Sequence, residues 1–380
     1  MGTATAAAGA RRLSEIDFSD KGRTPVRSNP APVVRARREM ATVGEVTPTP
    51  TIKTVAEAAG VSPASVSRAL NGNPSIAPEI VERVMRAADA VGYRPNGIAR
   101  SLRTRTTKVI ALLIPDIGNP FFTAVARGVT DAAEAEGYTV LLCNTDEDPE
   151  KERRHLAVAE QARVAGVVLS PQGRDTDISR LRQSSIPVVV IDRPLREKTD
   201  VIVVRSFAGA RAATSHLIDQ GWSRPACVTG PASADTARAR LRGYRAAIRE
   251  HSGLPEIVAH ADFRQEGATL AARELLDQPD PPDAFFVANA PMALGTLAAL
   301  AERNLRVGSD VGFVSFDDAP WAPYMTPPIS VVAQPAHPLG ERAARLLMES
   351  LRTPTERRPR RITLSPTLIV RASSLRPPRG

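Results

Sequence analysis

The sequence predicts a small all-α unit followed by a larger α/β domain that is divided into two lobes. From Lys108 onwards, short apolar runs of strand length alternate with segments of helical spacing. Between Thr51 and about Arg105, the pattern is one of short helices separated by sharp turns. Strand–helix alternation is typical of parallel sheets covered by helices on both faces, and two such series in succession predict two lobes.

Apolar runs of buried-strand length support this prediction. They occupy residues 109–115, 139–143, 166–170, 187–192, 225–230, 284–289 and 311–316. In an open parallel sheet, ligands bind outside the carboxyl ends of the strands, so a ligand site is expected there, between the lobes.

The composition is that of a soluble globular protein whose charge is unevenly distributed. Of the 380 residues, 42% are hydrophobic and 24% are charged, and the net charge is +9. Residues 51–108 carry nine basic and four acidic side chains, whereas the chain after them is nearly balanced. A basic segment on a near-neutral body favours nucleic-acid binding, although a solvated basic surface has the same composition.

Membrane insertion and secretion are not predicted. No apolar run reaches the ~18–20 residues of a membrane span, and the N-terminal stretch lacks the apolar core of a secretory signal. The two cysteines, Cys143 and Cys227, give neither a disulfide framework nor a metal-binding pair. The expected location is the cytoplasm, in association with the nucleoid if the basic segment binds DNA.

Residues 1–50 are predicted to form a disordered N-terminal arm. They mix Ala, Arg, Pro, Ser and Thr without a hydrophobic period. Met40 lies within this arm and is an alternative candidate for the translational start.

The next segment has the signals of two helices joined by a tight turn. Thr54 is expected to cap the first helix, with Glu57 completing a capping box, and Gly60 permits a sharp turn. Ser62 is expected to cap the second helix, and Pro63 suits its first position because its missing N–H would be unpaired there.

A third helix, from Pro78 to Val91, is expected to complete a small core. The apolar contacts of this core are expected from Val55, Val61, Val66 and Leu70. The opposite face of the second helix is the one that a recognition helix presents to a major groove. A helical hairpin in an unrelated all-α unit is the alternative.

Four ordered stretches make this chain resemble the lactose-repressor (LacI) family of bacterial transcription regulators. They are TIKTVAEAAGVSPASVSRALNG (51–72), GYRPNGIARSLRT (92–104), IPDIGNPFF (114–122) and SFDDAP (315–320). The resemblance covers about 51–372. It implies a helix-turn-helix DNA-binding domain, a hinge helix and a two-lobed ligand domain like a periplasmic sugar-binding protein.

The resemblance also implies the limits of the domains. They are a helix-turn-helix domain at 51–95, a hinge helix and linker at 96–108, a two-lobed effector and dimerisation domain at 109–372, and a basic tail at 373–380. Lobe one is expected at about 109–207 and 336–365, and lobe two at about 208–335 and 366–372. The expected partners are a pseudo-palindromic operator, a small effector and a second copy of the chain in a homodimer or a higher oligomer.

The hinge motif also has a physical interpretation of its own. Asn96 can cap a helix that ends at Leu102, and so short a helix is marginal alone in water. We expect it to order only against DNA and the partner copy, with Leu102 as an apolar wedge in the minor groove. Arg100 and Arg103 are placed for phosphates. An ordinary core leucine is the alternative for Leu102.

The candidate DNA contacts extend over the helix-turn-helix and the hinge. They are Thr51, Thr54, Ser62, Pro63, Ala64, Ser65, Ser67, Arg68, Asn71, Asn96, Arg100, Leu102 and Arg103.

Polar and aromatic residues near the ends of the apolar runs form the candidate effector site, and the resemblance implies a sugar or a sugar derivative as the effector. They are Asp116, Phe121, Phe122, Asp192, Thr236, Arg240, Phe263, Asn289 and Asp317. Such groups suit a polyol, which needs hydroxyl partners and flat apolar walls. As alternatives, Asp317 would cap a turn, Arg240 would pair with a surface acid and Phe263 would belong to the core.

The sequence does not favour an enzyme. It contains no phosphate-binding loop, no nucleophile elbow and no histidine pair with metal-ligand spacing, so no catalytic residue, cofactor or metal is predicted. A ligand-controlled repressor and a solute-binding protein for transport remain as alternatives. The missing secretory signal and the additional DNA-binding segment favour the repressor.

Overall fold

The structure is a computed structural model that describes residues 50–70, 73–93, 107–251, 253–353 and 358–377. The chain divides into two compact units, with the boundary between residues 94 and 95. The predictions for the N-terminal arm (residues 1–49), for Asn71 and for the hinge residues Asn96, Arg100, Leu102 and Arg103 lie outside the described residues.

The first unit contains three short helices around a small apolar core. They are α1 (Ile52–Ala59), α2 (Pro63–Leu70) and α3 (Pro78–Ala90). Val55, Val66 and Val84, one from each helix, are fully buried. Val61 and Leu70 pack against this core while remaining partly exposed. The predicted apolar contacts and the predicted third helix are therefore present.

The cap of α1 differs from the sequence prediction by three residues. Thr51, not Thr54, is the N-cap: its side chain accepts a hydrogen bond from the Thr54 backbone N–H at 3.4 Å. The Thr54 hydroxyl in turn accepts from the Thr51 N–H at 3.2 Å, so the box is closed by Thr54 and not by Glu57. Either threonine can supply a capping oxygen; the chain is already helical at Ile52, which leaves Thr51 as the extended residue before the first turn.

The second unit contains two six-stranded sheets. The first comprises β1 (Val109–Ile114), β2 (Thr139–Asn144), β3 (Gly166–Leu169), β4 (Val188–Ile191), β5 (Asp200–Val204) and β11 (Arg361–Leu364), in the order β11-β5-β4-β3-β1-β2. The second comprises β6 (Pro225–Thr229), β7 (Ile257–His260), β8 (Ala284–Val287), β9 (Gly312–Phe316), β10 (Ser330–Ala333) and β12 (Thr367–Ile369), in the order β12-β10-β9-β8-β6-β7. All neighbouring strands are parallel except β10 and β12. The predicted fold class is confirmed.

Helices connect the strands and cover the sheets. They are α4 (Pro120–Glu134), α5 (Pro149–Gln161), α6 (Ser179–Gln183), α7 (Ser206–Asp219), α8 (Asp235–Glu250), α9 (Gln265–Leu276), α10 (Ala290–Glu302) and α11 (Ala336–Arg352). α11 returns to the first sheet and packs closely on α4, where a Cβ at Gly128 would lie 2.2 Å from the His337 carbonyl oxygen. This packing positions α4, whose first turn lines the site described below.

The chain passes three times between the sheets, after β5, after β10 and between β11 and β12. The last passage leads to a segment that lobe two holds firmly. The Ser373 hydroxyl donates to the Phe313 carbonyl at 2.7 Å, and the Trp222 indole N–H donates to the Ser374 carbonyl at 2.9 Å. The tail predicted to begin at residue 373 is thus part of lobe two as far as residue 377, because buried serines satisfy backbone groups of its sheet.

Candidate functional site

A cavity of about 280 Å³ lies between the two lobes, at the carboxyl ends of strands from both sheets. All nine predicted effector residues lie in its wall, which joins segments up to 201 residues apart in sequence. They are Asp116, Phe121, Phe122, Asp192, Thr236, Arg240, Phe263, Asn289 and Asp317. The expectation that these side chains converge is therefore met by the geometry.

Aromatic rings form the apolar part of the wall. Phe121 and Phe122 begin α4 and pack edge to face, with 4.9 Å between the ring centroids. The Asn119 side chain caps this helix by accepting from the Phe121 N–H at 3.0 Å. From the opposite lobe, Phe263 lies against Gly230, where a Cβ would be only 2.2 Å from its ring. The absence of a side chain at Gly230 is thus what admits the Phe263 ring.

Lobe two places an acceptor and a donor side by side. Asp317 directly follows β9 and accepts a hydrogen bond from the Gln334 side-chain amide at 2.6 Å. Arg240, on α8, is 4% exposed and donates from Nη1 to the Ala288 carbonyl. Its Nε has no hydrogen-bond partner among the described residues, and the same is true of the Gln334 side-chain oxygen. Unpaired buried donors and acceptors of this kind are energetically costly.

Lobe one contributes a second arginine beside a second carboxylate. Arg193 is 4% exposed and binds Glu147 in a bidentate ion pair, with N–O distances of 2.8 and 2.6 Å. Its Nε lies 3.7 Å from the Asp192 carboxylate, an ion-pair distance that is too long for a hydrogen bond, and it has no hydrogen-bond partner among the described residues. The guanidinium carbon is 5.5 Å from the centroid of the Phe263 ring across the cavity.

Burial shifts the pKa values of these groups. It raises the pKa of Asp192, which the guanidinium groups of Arg193 and Arg240 oppose, and the pKa of Asp317, which Arg240 opposes. Burial lowers the pKa of Arg240, which Asp317 opposes. At Arg193 burial acts in the same direction, but the hydrogen bonds and charge of Glu147 outweigh it and raise the pKa.

The backbone of the site is unusual as well. In the described part of the chain, eight residues other than glycine have a positive φ, and five of them line this cavity. They are Asp146 (54°), Glu147 (59°), Asp192 (63°), Phe263 (67°) and Asp317 (76°). The left-handed conformation is unfavourable for such residues and is found where function requires a side chain in a particular place.

Some predicted residues also have structural roles. The Asn289 side-chain oxygen caps α10 by accepting from the Met292 N–H at 2.9 Å, and its amide donates to the Phe263 carbonyl at 3.0 Å. Asp116 accepts from the Gly118 N–H at 2.8 Å. Phe263 belongs to the core of lobe two while lining the cavity. The alternative of a surface ion pair for Arg240 is not met, since this side chain is buried.

The candidate list omitted four residues that shape the site. Asn119, Glu147 and Arg193 line the cavity, and Gln334 supports Asp317 from the crossover after β10. Arg193 directly follows the selected Asp192, and Asn119 lies between the selected Asp116 and Phe121, so their position after a strand was an available signal. Nothing in the local sequence distinguishes Glu147 or Gln334.

In the helical unit, α2 exposes the face that was predicted to meet DNA. Ser62, Pro63, Ala64 and Arg68 are exposed, and Ser65 and Ser67 are partly exposed. Ser62 caps the helix, since its hydroxyl accepts from the Ser65 N–H at 3.1 Å. Thr51 and Thr54 are exposed at the start of α1. The opposite side of α2 is buried in the core.

Two further properties concern the part of the chain that the structure describes. None of its helices is both long enough and apolar enough to cross a membrane. Nowhere in it do three or more His, Cys, Asp or Glu side chains come together in a group that could hold a metal ion.

Comparison with known proteins gives two family matches and close relatives. Residues 51–96 match bacterial regulatory proteins of the lacI family, and residues 214–374 match the periplasmic binding protein-like domain. The ribose operon repressor of Halalkalibacterium halodurans is 38% identical, covering 79% of this chain and 90% of that protein. The HTH-type transcriptional repressor PurR of Photobacterium profundum is 34% identical, covering 85% and 98%.

A solved structure is also similar to this chain. The LacI family transcriptional regulator from Enterococcus faecium with bound ribose superposes with a TM-score of 0.63 at 25% identity, covering 70% of this chain and 98% of that one. The helical unit, the two-lobed domain and relatives matched over nearly their whole length show that this chain belongs to the lacI family of bacterial regulatory proteins and is a DNA-binding transcriptional regulator.

Proposed function

We propose that the protein is a repressor whose affinity for its operator is controlled by an aldopentose, D-ribose, held between the two lobes. The observation that carries this proposal is the convergence of nine sugar-compatible side chains on one cavity, with two buried arginine Nε–H groups left unpaired among the described residues. The names of the relatives support the choice of ribose: one is a ribose operon repressor, and a solved neighbour holds ribose.

The size and chemistry of the cavity suit a single small sugar. Its volume of about 280 Å³ is at the lower end of ligand pockets, which hold drug-sized molecules at ~300–1,000 Å³. Asp192 and Asp317 accept hydrogen bonds from hydroxyl groups, and Arg193 and Arg240 donate to ring and hydroxyl oxygens. The rings of the three phenylalanines cover the apolar faces of the sugar.

Operator binding is proposed to proceed through α2 and the hinge. A single short recognition helix makes few base contacts, so a homodimer reading a pseudo-palindrome is the expected form. Arg68 is exposed on α2 and is the candidate for a bidentate contact to guanine. The hinge residues Asn96, Arg100, Leu102 and Arg103 are proposed to contact the minor groove and the phosphates.

A purine base is the second candidate effector. A relative at 34% identity is the PurR repressor, and the phenylalanine rings in the wall offer flat surfaces that also suit a planar base. Two buried carboxylates and two arginines are more than a purine edge requires, so the sugar is the first choice.

Calorimetric titration of the full chain with D-ribose, D-glucose and hypoxanthine separates these candidates. We expect D-ribose to bind at micromolar or lower concentration, D-glucose to bind more weakly, and hypoxanthine not to bind. Fluorescence anisotropy with DNA from upstream of the protein's own gene, with and without D-ribose, then measures the control of operator binding. Tight binding of hypoxanthine without binding of D-ribose would reverse the choice of effector.

A further inference from the structure

We infer that Glu147 is a positioning residue for the effector: it holds the Arg193 guanidinium beyond hydrogen-bond distance of Asp192, from a turn that the opposite lobe also contacts. The inference rests on the proposed sugar site. It assigns the effector affinity in part to a side chain that acts through Arg193.

The ion pair with Glu147 fixes the orientation of the Arg193 guanidinium plane. The two terminal nitrogens of Arg193 donate to the two oxygens of Glu147 at 2.8 and 2.6 Å. Because the guanidinium is a rigid planar fork, fixing both terminal nitrogens also fixes the direction of its Nε–H. That buried Nε–H has no hydrogen-bond acceptor among the described residues, and the Asp192 carboxylate lies 3.7 Å from it.

Glu147 also competes with Asp192 for the arginine. The Asp192 carboxylate lies 3.7 Å from the Arg193 Nε, and both side chains are buried. Without Glu147, the nearest opposite charge to this buried guanidinium is Asp192, and a buried charge without a partner is strongly unfavourable. Arg193 would then move from ion-pair distance to hydrogen-bond distance of Asp192, and each would lose the hydrogen-bonding capacity that a sugar needs.

The turn that carries Glu147 is held in an unfavourable conformation by contacts within lobe one. Asp146 and Glu147 are consecutive residues with φ values of 54° and 59°. The Asp146 carboxylate accepts from Lys151 and from the Asn144 side-chain amide. Asp148, directly after the turn, caps α5 by accepting from the Glu150 N–H at 2.8 Å. These contacts organise the turn before any ligand binds.

Lobe two contacts the same turn. Arg264, the residue before α9, donates from Nη2 to the Asp146 carbonyl at 3.2 Å. This hydrogen bond can form only while the lobes are close together. The opposite lobe therefore stabilises the turn that carries Glu147, and through Glu147 the orientation of Arg193 at the effector site. Because binding and closure are thermodynamically linked, a bound effector also favours the closed arrangement of the lobes.

A double-mutant cycle measured by calorimetry with D-ribose tests the inference. The variants are E147A, R193A and the double variant, with E147Q as a milder change that retains one acceptor. Because hydrogen bonds to charged groups contribute ~1.5–3 kcal/mol, we expect E147A to weaken ribose binding about 10–100-fold in the wild-type background. In the R193A background the same change should weaken it less than about twofold, since Glu147 then has nothing to position.

Glu150 provides the matched control. It lies in the first turn of α5, three residues from Glu147, and pairs with Arg153 at 3.0 and 2.9 Å on the surface. E150A removes an ion pair of the same type from the same region and should leave ribose affinity within about twofold, as expected for an exposed pair. Equal losses from E147A in both Arg193 backgrounds would show that Glu147 acts independently of Arg193, and the inference would be overturned.

A second measurement does not need the effector. The Arg193 Nε–H signal in a ¹H–¹⁵N spectrum of the free protein is assigned by its disappearance in R193K. We expect this signal to be sharp and displaced in the wild type and in E150A, and to shift or broaden in E147A and E147Q. An unchanged signal in E147A would overturn the inference. A signal that responds to E147A in a protein that does not bind D-ribose would retain the inference and reject the proposed effector.

Discussion

The guanidinium carbon of Arg240 lies 3.9 Å from the centroid of the Phe316 ring, one residue before Asp317 at the end of β9. The ring supports one face of the guanidinium, and the Ala288 carbonyl accepts from Nη1. Since Arg240 belongs to α8 and Asp317 follows β9, the helix and the strand end together place a donor and an acceptor next to each other in the cavity wall.

The first prediction follows from this pair. R240A and D317N should each abolish the response of operator binding to D-ribose while leaving operator binding without ligand largely intact. The reason is that both side chains face the effector cavity and belong to the unit that does not contain α2. Operator titrations with and without D-ribose, together with melting temperatures, provide the measurement.

The control for this pair is R211A, which removes an exposed arginine that pairs with Glu250 on the surface of lobe two. It should retain the full response. If R240A and D317N fold normally and still respond at wild-type ribose concentrations, these residues do not contact the effector.

The second prediction concerns pH. Asp192 and Asp317 accept hydrogen bonds with both carboxyl oxygens only when they are ionised, and burial raises the pKa of both carboxyls. Acidification therefore protonates them at a higher pH than an exposed carboxyl, and ribose affinity should fall as the pH decreases. Calorimetry from about pH 8 down to about pH 5 covers the range in which most proteins stay folded.

The contribution of these two carboxyls to folding stability has the opposite pH dependence to their contribution to ribose affinity. A carboxyl whose pKa is raised in the folded state binds its proton more tightly there, so these two groups favour folding at low pH, and this contribution is lost as the pH rises through the raised pKa. Loss of affinity on acidification should thus occur without unfolding caused by these groups. D310N, which removes a surface carboxyl whose pKa Arg306 holds at about 2, should leave the pH profile of ribose affinity unchanged.

The third prediction tests the proposed contact of Arg68 with a base. R68A should weaken operator binding by ~1–3 kcal/mol and relax the preference at one base pair in each half-site. R86A removes the same charge from an exposed position on α3, where Arg86 pairs with Glu82, and should not relax any base preference. Binding to a set of operators with single base changes measures both. Equal weakening of specific and non-specific DNA by R68A would contradict a base contact.

The fourth prediction concerns the cap of α1. T51A removes both hydrogen bonds that join Thr51 to Thr54 through its side chain and should destabilise the helical unit by ~1 kcal/mol, the usual effect of losing an N-cap. T51S retains the hydroxyl and should restore most of this stability. Thermal unfolding followed by circular dichroism compares the three proteins. A loss in T51S as large as that in T51A would attribute the effect to the methyl group and not to the cap.

Much of the fold could be read from the sequence because its central strands are buried on both faces. The runs at β1, β3, β4, β6, β8 and β9 are almost continuously apolar, and such runs stand out without any tertiary information. The strands that the sequence did not single out include β11, with the alternating sequence RITL, and β12, with only three residues. Both lie at sheet edges, where one side is unpaired and the apolar signal is weak.

The positions of two candidate effector residues could also be read from the buried strands. Asp192 and Asp317 directly follow buried strands, and parallel strands in a sheet bring their carboxyl ends to one edge. The sequence alone therefore determined that each side chain lies at the ligand-binding edge of its own sheet; that the two edges face each other depends on how the two lobes pack. It also determined the exposed face of α2, because the apolar spacing of Val66 and Ala69 leaves Arg68 on the other side.

Only the tertiary structure decided how these residues are held. Glu147 has no periodic or motif signal, and its role arises from a left-handed turn that residues of both lobes contact. Gln334, in the crossover after β10, donates a hydrogen bond to the Asp317 carboxylate. The Asn289 side chain caps α10 with its oxygen and donates from its amide nitrogen to the Phe263 carbonyl. Burial patterns are local and appear in the sequence, whereas hydrogen bonds and ion pairs between remote segments depend on distances that exist only after the two sheets have packed into their lobes.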